Sequence, residues 1–263
     1  MFLTYPPSAF IDRLNAPVTS ERPLYDFESS DRVRHRVWRV TDPVAYADGF
    51  RRVFKAYVAD GHHRSASAWR AARERRAANP RHTGLEEYNW FPAVLFPSNQ
   101  VHILPYNRVV RDLRGQTAEQ VLERLGTVGH LSPAASPTPP QRGSFGVHLA
   151  GRWYLLELPG DSIVVRDPVL SLDAALLEER VLGPILGVED VRTDPRIGFV
   201  GGIRGSVELE RQVASGEAAI AFALFPVTVD DLVAVADAGG IMPPKTTWFE
   251  PKLKSGLFVH TLD

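Results

Sequence analysis

Residues Tyr57–Ala78, YVADGHHRSASAWRAARERRAA, run from an apolar stretch through a single glycine straight into a helix-like segment. The apolar run Val53–Ala59 ends in Asp60-Gly61-His62-His63-Arg64. Ser65 and Ser67 are small polar residues suited to a helix start, Trp69 and Ala72 set an amphipathic pattern, and Asn79-Pro80 stops it. A strand that turns at glycine into a helix gathers unpaired backbone N–H groups and a positive dipole end at one spot, which suits phosphate. Arg64 adds a fork of donors, and His62 and His63 add ring nitrogens that can donate or accept. Asp60, at the strand end, is placed to hold Mg²⁺ or to accept a proton.

The bulk numbers narrow the setting. A chain of 263 residues, 44% hydrophobic and 23% charged, buries a real core in one large domain or two small ones. Its net charge of −1 supplies no global field for nucleic acid or an anionic membrane, leaving only local patches. The absence of cysteine excludes disulfides, thiolate zinc sites and a cysteine nucleophile. No apolar run reaches a membrane span, and MFLTYPPSAF lacks the charge and cleavage pattern of a signal peptide, so a cytoplasmic location is expected.

Strands are expected at Phe2–Tyr5, Val33–Val40 and Tyr57 onward, with a helix over Thr41–Lys55 started by Asp42-Pro43. Phe91–Phe96 and Val101–Val110, separated by Pro97-Ser98-Asn99-Gln100, read as a hairpin. A short helix covers Thr117–Leu125, and the proline-rich Ser132–Gln141 is the expected linker, dividing the chain into residues 1–131 and 142–263. Phe145–Leu149 and Trp153–Leu158 flank Ala150-Gly151-Arg152 as a second hairpin. Helices follow at Leu172–Leu182, Val207–Ser215 and Val229–Ala238, with strands at Arg196–Val200 and Ala218–Phe225, the last apolar enough for burial on both faces. This mixture of elements predicts an α+β fold without internal repeats.

Other constellations compete with the turn. In Ile241–Lys254, IMPPKTTWFEPKLK, prolines stiffen the backbone around three lysines, and Lys245 and Lys252 are candidates to neutralise phosphate charge. Pro105-Tyr106-Asn107-Arg108 interrupts an apolar strand with polar groups that face either a site or solvent, and the phase of Arg108 favours a site. Adjacent His62 and His63 point in different directions, so metal ligation by them would need His82 or His35. No G-x-S-x-G elbow accompanies the serines, which argues against a serine hydrolase, and FVGGIRGSVELE lacks a Walker lysine and reads as a strand-to-helix turn.

YVADGHHRSASAW, FPAVLFPSNQVHILPYNRVV and MPPKTTWFEPKLKSGL together resemble a bacterial and archaeal domain-of-unknown-function family whose members are labelled ParB-like or Spo0J-like. The resemblance runs along the whole chain. Related proteins of the ParB/sulfiredoxin-type fold include free-serine kinases, so it implies a phosphate-binding core of that kind followed by a carboxy-terminal α+β portion. It also implies that Gly61, His62, His63 and Arg64 hold phosphates, with Ala66 and Ala68 at the small-residue positions of the helix. Family members extend further at the amino terminus, so the resemblance reads this chain as truncated there, without an upstream catalytic carboxylate. Asp26, Glu28, Asp31 and Asp60 are the local substitutes, and only Asp60 adjoins the turn.

The expected activity is phosphoryl transfer from ATP or ADP, with Mg²⁺, to a small hydroxyl compound such as free serine. Asp60, His62 and His63 are the expected catalytic groups, and Gly61, His62, His63, Arg64, Lys245 and Lys252 the phosphate ligands. The alternatives are a non-catalytic nucleotide-binding module and a ParB-like DNA-associated protein. Near-zero net charge argues against nucleic acid.

Overall fold

The computed structural model describes residues 1–163 and 167–262. The chain forms two compact units, one of Met1–Val101 with Lys252–Asp263, the other of His102–Pro251. The proline-rich stretch 132–141 lies inside the second unit, so the observed division falls elsewhere than that linker. Each unit mixes helices and strands, as an α+β protein should. Among the described residues no helix is long and apolar enough to cross a membrane.

Unit 1 contains β1 (Phe2–Tyr5), α1 (Ala9–Ser20), β2 (Tyr25–Glu28), β3 (Arg34–Val37), α2 (Pro43–Arg51), β4 (Tyr57–Asp60), α3 (His62–Ala78) and β5 (Val94–Pro97). Asp42 caps α2 from the predicted position, its carboxylate accepting from Ala45 N. β1 is central in a three-stranded sheet, antiparallel to β4 and parallel to β5. Phe2 and Tyr5 are buried in it, against Phe96 at 5.1 Å and Phe50 at 5.4 Å between ring centroids. β2 and β3 pair only with each other, as an exposed ribbon.

The second unit contains β6 (His102–Leu104), β7 (Tyr106–Val110), α4 (Ala118–Val128), β8 (His130–Pro133), β9 (Ser144–Leu149), β10 (Arg152–Glu157), α5 (Asp173–Leu177), β11 (Ile197–Gly201), α6 (Gly205–Ala214), β12 (Ile220–Leu224), α7 (Val229–Asp237) and β13 (Trp248–Glu250). A π-helical turn, Glu178–Leu182, continues α5. Six strands make one antiparallel sheet, in the order β11-β7-β12-β9-β10-β8. β9 and β12 are buried along their whole length, because both faces are covered. Phe145, Val147, Leu149, Ile220 and Phe222 join the larger core with Leu125 of α4 and Leu177 of α5, while Leu209 of α6 packs with Val109, Ala221 and Ala223 opposite. The β9–β10 turn has Ala150 and Gly151 at φ +49° and +73°, the twist a two-residue hairpin needs.

Three expectations are corrected. The hairpin between Phe91–Phe96 and Val101–Val110 does not form: β5 pairs with β1, β6 with β13, and β7 lies between β11 and β12. Pro105, which lacks an N–H, divides the second run between two sheets. α3 begins at His62, directly after the glycine, and Ser65 and Ser67 lie inside it. Finally, α3 buries none of its residues, because arginine and alanine surround Trp69 on all sides.

Candidate phosphate-binding turn

β4 delivers Asp60 opposite Phe2 of β1, and the chain then turns at Gly61 with φ +97° and ψ 25°. That left-handed conformation is open to glycine and disfavours a Cβ. Gly61 is the N-cap of α3, its carbonyl accepting the first helical bond from Ser65 N at 2.9 Å. No side chain caps the helix start, so the N–H groups of the first turn are presented without a capping oxygen. The Ser65 hydroxyl donates instead to the carbonyls of Gly61 and His62, at 3.0 and 3.1 Å.

Arg64 folds back over the glycine. A Cβ at position 61 would stand 3.2 Å from both Nε and Nη2 of Arg64. Arg64 Nη2 lies 3.8 Å from Asp60 Oδ2, and Lys252 Nζ approaches the same oxygen to 3.7 Å. Two cations therefore flank one carboxylate at the positive end of a 17-residue helix, a local excess of positive charge. The side chains of Asp60, Arg64 and Lys252 are 44%, 60% and 44% exposed, and His62 and His63 are exposed beside them. Such groups are open to a ligand and screened by salt.

The structure thus gathers Asp60, Gly61, His62, His63, Arg64 and Lys252 in unit 1. Lys245 belongs to unit 2, where its backbone has φ +52° and its ammonium lies 5.8 Å from the Tyr106 ring centroid. No group of three His, Asp or Glu that could hold a metal occurs among the described residues. Asp60 offers a single carboxylate, which fits the way Mg²⁺ is held by one or two carboxylates together with substrate phosphates. His82 bonds the Tyr88 hydroxyl at 2.8 Å and pairs with Glu86 at 3.0 Å, while His35 bonds the Ser29 hydroxyl at 3.0 Å. Neither histidine joins the turn in these interactions. Asp26 is engaged by Arg34 at 2.7 Å, which holds its carboxyl below the usual range, and Asp31 is held low by the Ser29 hydroxyl and Val33 N–H.

The polar interruption at Asn107-Arg108 serves the fold. Both side chains are buried, and Arg108 donates to the carbonyls of Tyr106 at 2.7 Å, Lys245 at 3.0 Å and Pro244 at 3.1 Å. Burial lowers its pKa to about 10. The expectation that Arg108 faces a site is thereby corrected, because backbone carbonyls occupy its donors. Asp173 escaped sequence reasoning altogether. It is buried, accepts from Gly143 N and Phe225 N, and burial raises its carboxyl to about 6. An acid opening a helix reads from sequence as a solvated cap.

Fold and turn together define a mixed α+β protein with an uncapped strand–glycine–helix corner. The family model described as protein of unknown function DUF1015 matches residues 1–175, and the chain belongs to that family. No curated protein matches the chain. Among solved structures, a free serine kinase in complex with AMP aligns at 13% identity and TM-score 0.38, covering 94% of this chain and 83% of that one. A conserved hypothetical protein from Pyrococcus furiosus aligns at 12% identity and TM-score 0.39, covering 94% and 86%. SbnI with a C-terminal truncation, from Staphylococcus aureus, aligns at 10% identity and TM-score 0.43, covering 98% and 82%.

Proposed function

We propose that the Asp60–Arg64 turn binds the terminal phosphates of ATP or ADP, and that the protein transfers a phosphoryl group to a small hydroxyl compound in the cytoplasm. Free serine is the first acceptor to test, because the sequence resembles a family related to free-serine kinases. The observation that carries this reading is the uncapped start of α3 at a left-handed glycine, with Arg64 and Lys252 within 4 Å of Asp60 Oδ2.

Phosphoryl transfer asks a protein for positioning and charge neutralisation. The N–H groups after Gly61, with Arg64 and Lys252, would grip the phosphate oxygens, and His62 or His63 would hydrogen-bond the acceptor hydroxyl or a phosphoryl oxygen. Once phosphate draws the two cations, Asp60 is released to accept the hydroxyl proton. The acceptor oxygen then bonds to phosphorus as the bond to the nucleotide's bridging oxygen breaks. Alternatively, Asp60 would hold Mg²⁺ together with the phosphates, and the ion would supply further charge neutralisation in place of that proton transfer.

Calorimetric titration with ATP and with ADP, each with Mg²⁺, tests the binding. Loss of about 1.5–3 kcal/mol in Arg64→Ala is expected if Arg64 makes charged hydrogen bonds. Unchanged affinity in folded Arg64→Ala protein would sink the phosphate turn. The ion pairs at Asp60 also favour a second reading, a module that binds nucleotide without turnover. Binding without formation of phosphoserine or another phosphorylated acceptor would select that module.

A further inference from the structure

The net charge of −1 hides a segregation. Unit 1 carries seventeen Lys and Arg against twelve Asp and Glu, whereas unit 2 carries thirteen against nineteen. Within unit 1 the positive charge concentrates on α3, which holds five arginines and one glutamate. Arg64, Arg70, Arg73, Arg75 and Arg76 are all exposed. Charge alone would be a solvated surface. Among these arginines, however, Trp69 is 60% exposed, and Arg73 holds its guanidinium 4.7 Å from the indole centroid. His62, Ala66, Trp69, Arg73 and Arg76 recur at intervals of four and three, so they share one helix face, with Arg70 beside it.

We propose that this face of α3 binds a single-stranded polynucleotide. Guanidinium forks match phosphodiester oxygens better than ammonium groups do. An exposed indole stacks on any base, which gives affinity without sequence choice. An acidic peptide would satisfy the arginines but bring no base to the exposed indole. A duplex hides its base faces and would do the same. The helix is about 25 Å long, enough for several phosphates. This surface does not depend on the phosphoryl-transfer reading, since Trp69, Arg70 and Arg73 take no part in it.

The test is fluorescence anisotropy of the full chain with a labelled single-stranded oligonucleotide of about 20 nucleotides, between ~50 and ~200 mM salt. Binding should weaken roughly 10- to 30-fold across that range, as release of counterions from about three phosphates requires. Arg70→Glu/Arg73→Glu should lose at least ~10-fold at low salt. Trp69→Ala should lose about tenfold, and Trp69→Phe should keep most of the affinity. Circular dichroism establishes folding, and if the charge-reversed chain does not fold, the Trp69 variants and the salt slope decide. Poly-aspartate and a duplex of the same sequence serve as competitors. The proposal is overturned if the folded chain shows no salt-sensitive binding, if Trp69→Ala binds like the parent chain, or if either competitor displaces the strand equally well.

Discussion

The Lys252 ammonium stands 3.7 Å from Asp60 Oδ2, so the carboxy-terminal segment of unit 1 brings a second cation to the turn that opens α3. Arg64 meets the same oxygen at 3.8 Å from within the helix. One carboxylate thus holds two long, flexible cations beside the uncapped start of α3. Because all three side chains remain substantially exposed, these pairs add little to stability, and their consequence is where they place positive charge.

Lys252→Ala should therefore leave the unfolding midpoint nearly unchanged, within about 0.5 kcal/mol. Affinity for ATP or ADP should fall about three- to tenfold at low ionic strength, and less at high salt, where the charge is already screened. Paired titrations of parent and variant at two salt concentrations measure this. An equal loss at both would mean that Lys252 acts through structure and not through charge.

Gly61→Ala should cost both stability and binding. A non-glycine residue in the left-handed region costs roughly 1–2 kcal/mol. The new Cβ would also stand 3.2 Å from Arg64 Nε and Nη2 and push the guanidinium off the turn. Chemical denaturation reads the first effect and nucleotide titration the second. Gly61→Asn, which tolerates φ > 0 better, should recover much of the stability.

Arg108→Met removes three donors from the carbonyls of Tyr106, Pro244 and Lys245. The site is buried, so those oxygens have little water to turn to, and the expected loss is about 3 kcal/mol. The effect should be most visible around residues 242–246, as faster amide hydrogen exchange and proteolysis. Preserved protection there would show that the prolines alone hold the segment.

Legibility followed the range of the interaction. Thr117 and Thr228 cap α4 and α7 through contacts three residues away, and the apolar run of β12 announces burial on both faces. The Asp60–Arg64 turn is contiguous and was readable for the same reason. The parallel pairing of β1 with β5 joins strands far apart in the chain, and its rival, a local hairpin, had the better local signal. Arg108 shows a second limit. A polar residue in an apolar strand looks alike whether it faces a ligand or distant carbonyls. Lys245 and Lys252 share one lysine-rich motif yet fall in different units, a distinction that spacing does not carry.

Asp173 gives the second unit a pH dependence with a definite sign. Burial raises its carboxyl from 3.8 to about 6, against the opposing bonds from Gly143 N and Phe225 N and the field of Arg142, while Asp231 pushes it further up. Between those two values the folded chain holds the proton more tightly than the unfolded chain. Stability therefore falls as pH rises through this window and levels off above it. The difference corresponds to about 3 kcal/mol, since each pKa unit is worth about 1.4 kcal/mol. Denaturant unfolding from pH 4 to pH 7 should show this decline. Asp173→Asn, neutral throughout, should flatten it while paying a constant penalty for turning an amide donor toward Phe225 N. A slope that persists in Asp173→Asn would assign the titration to another group.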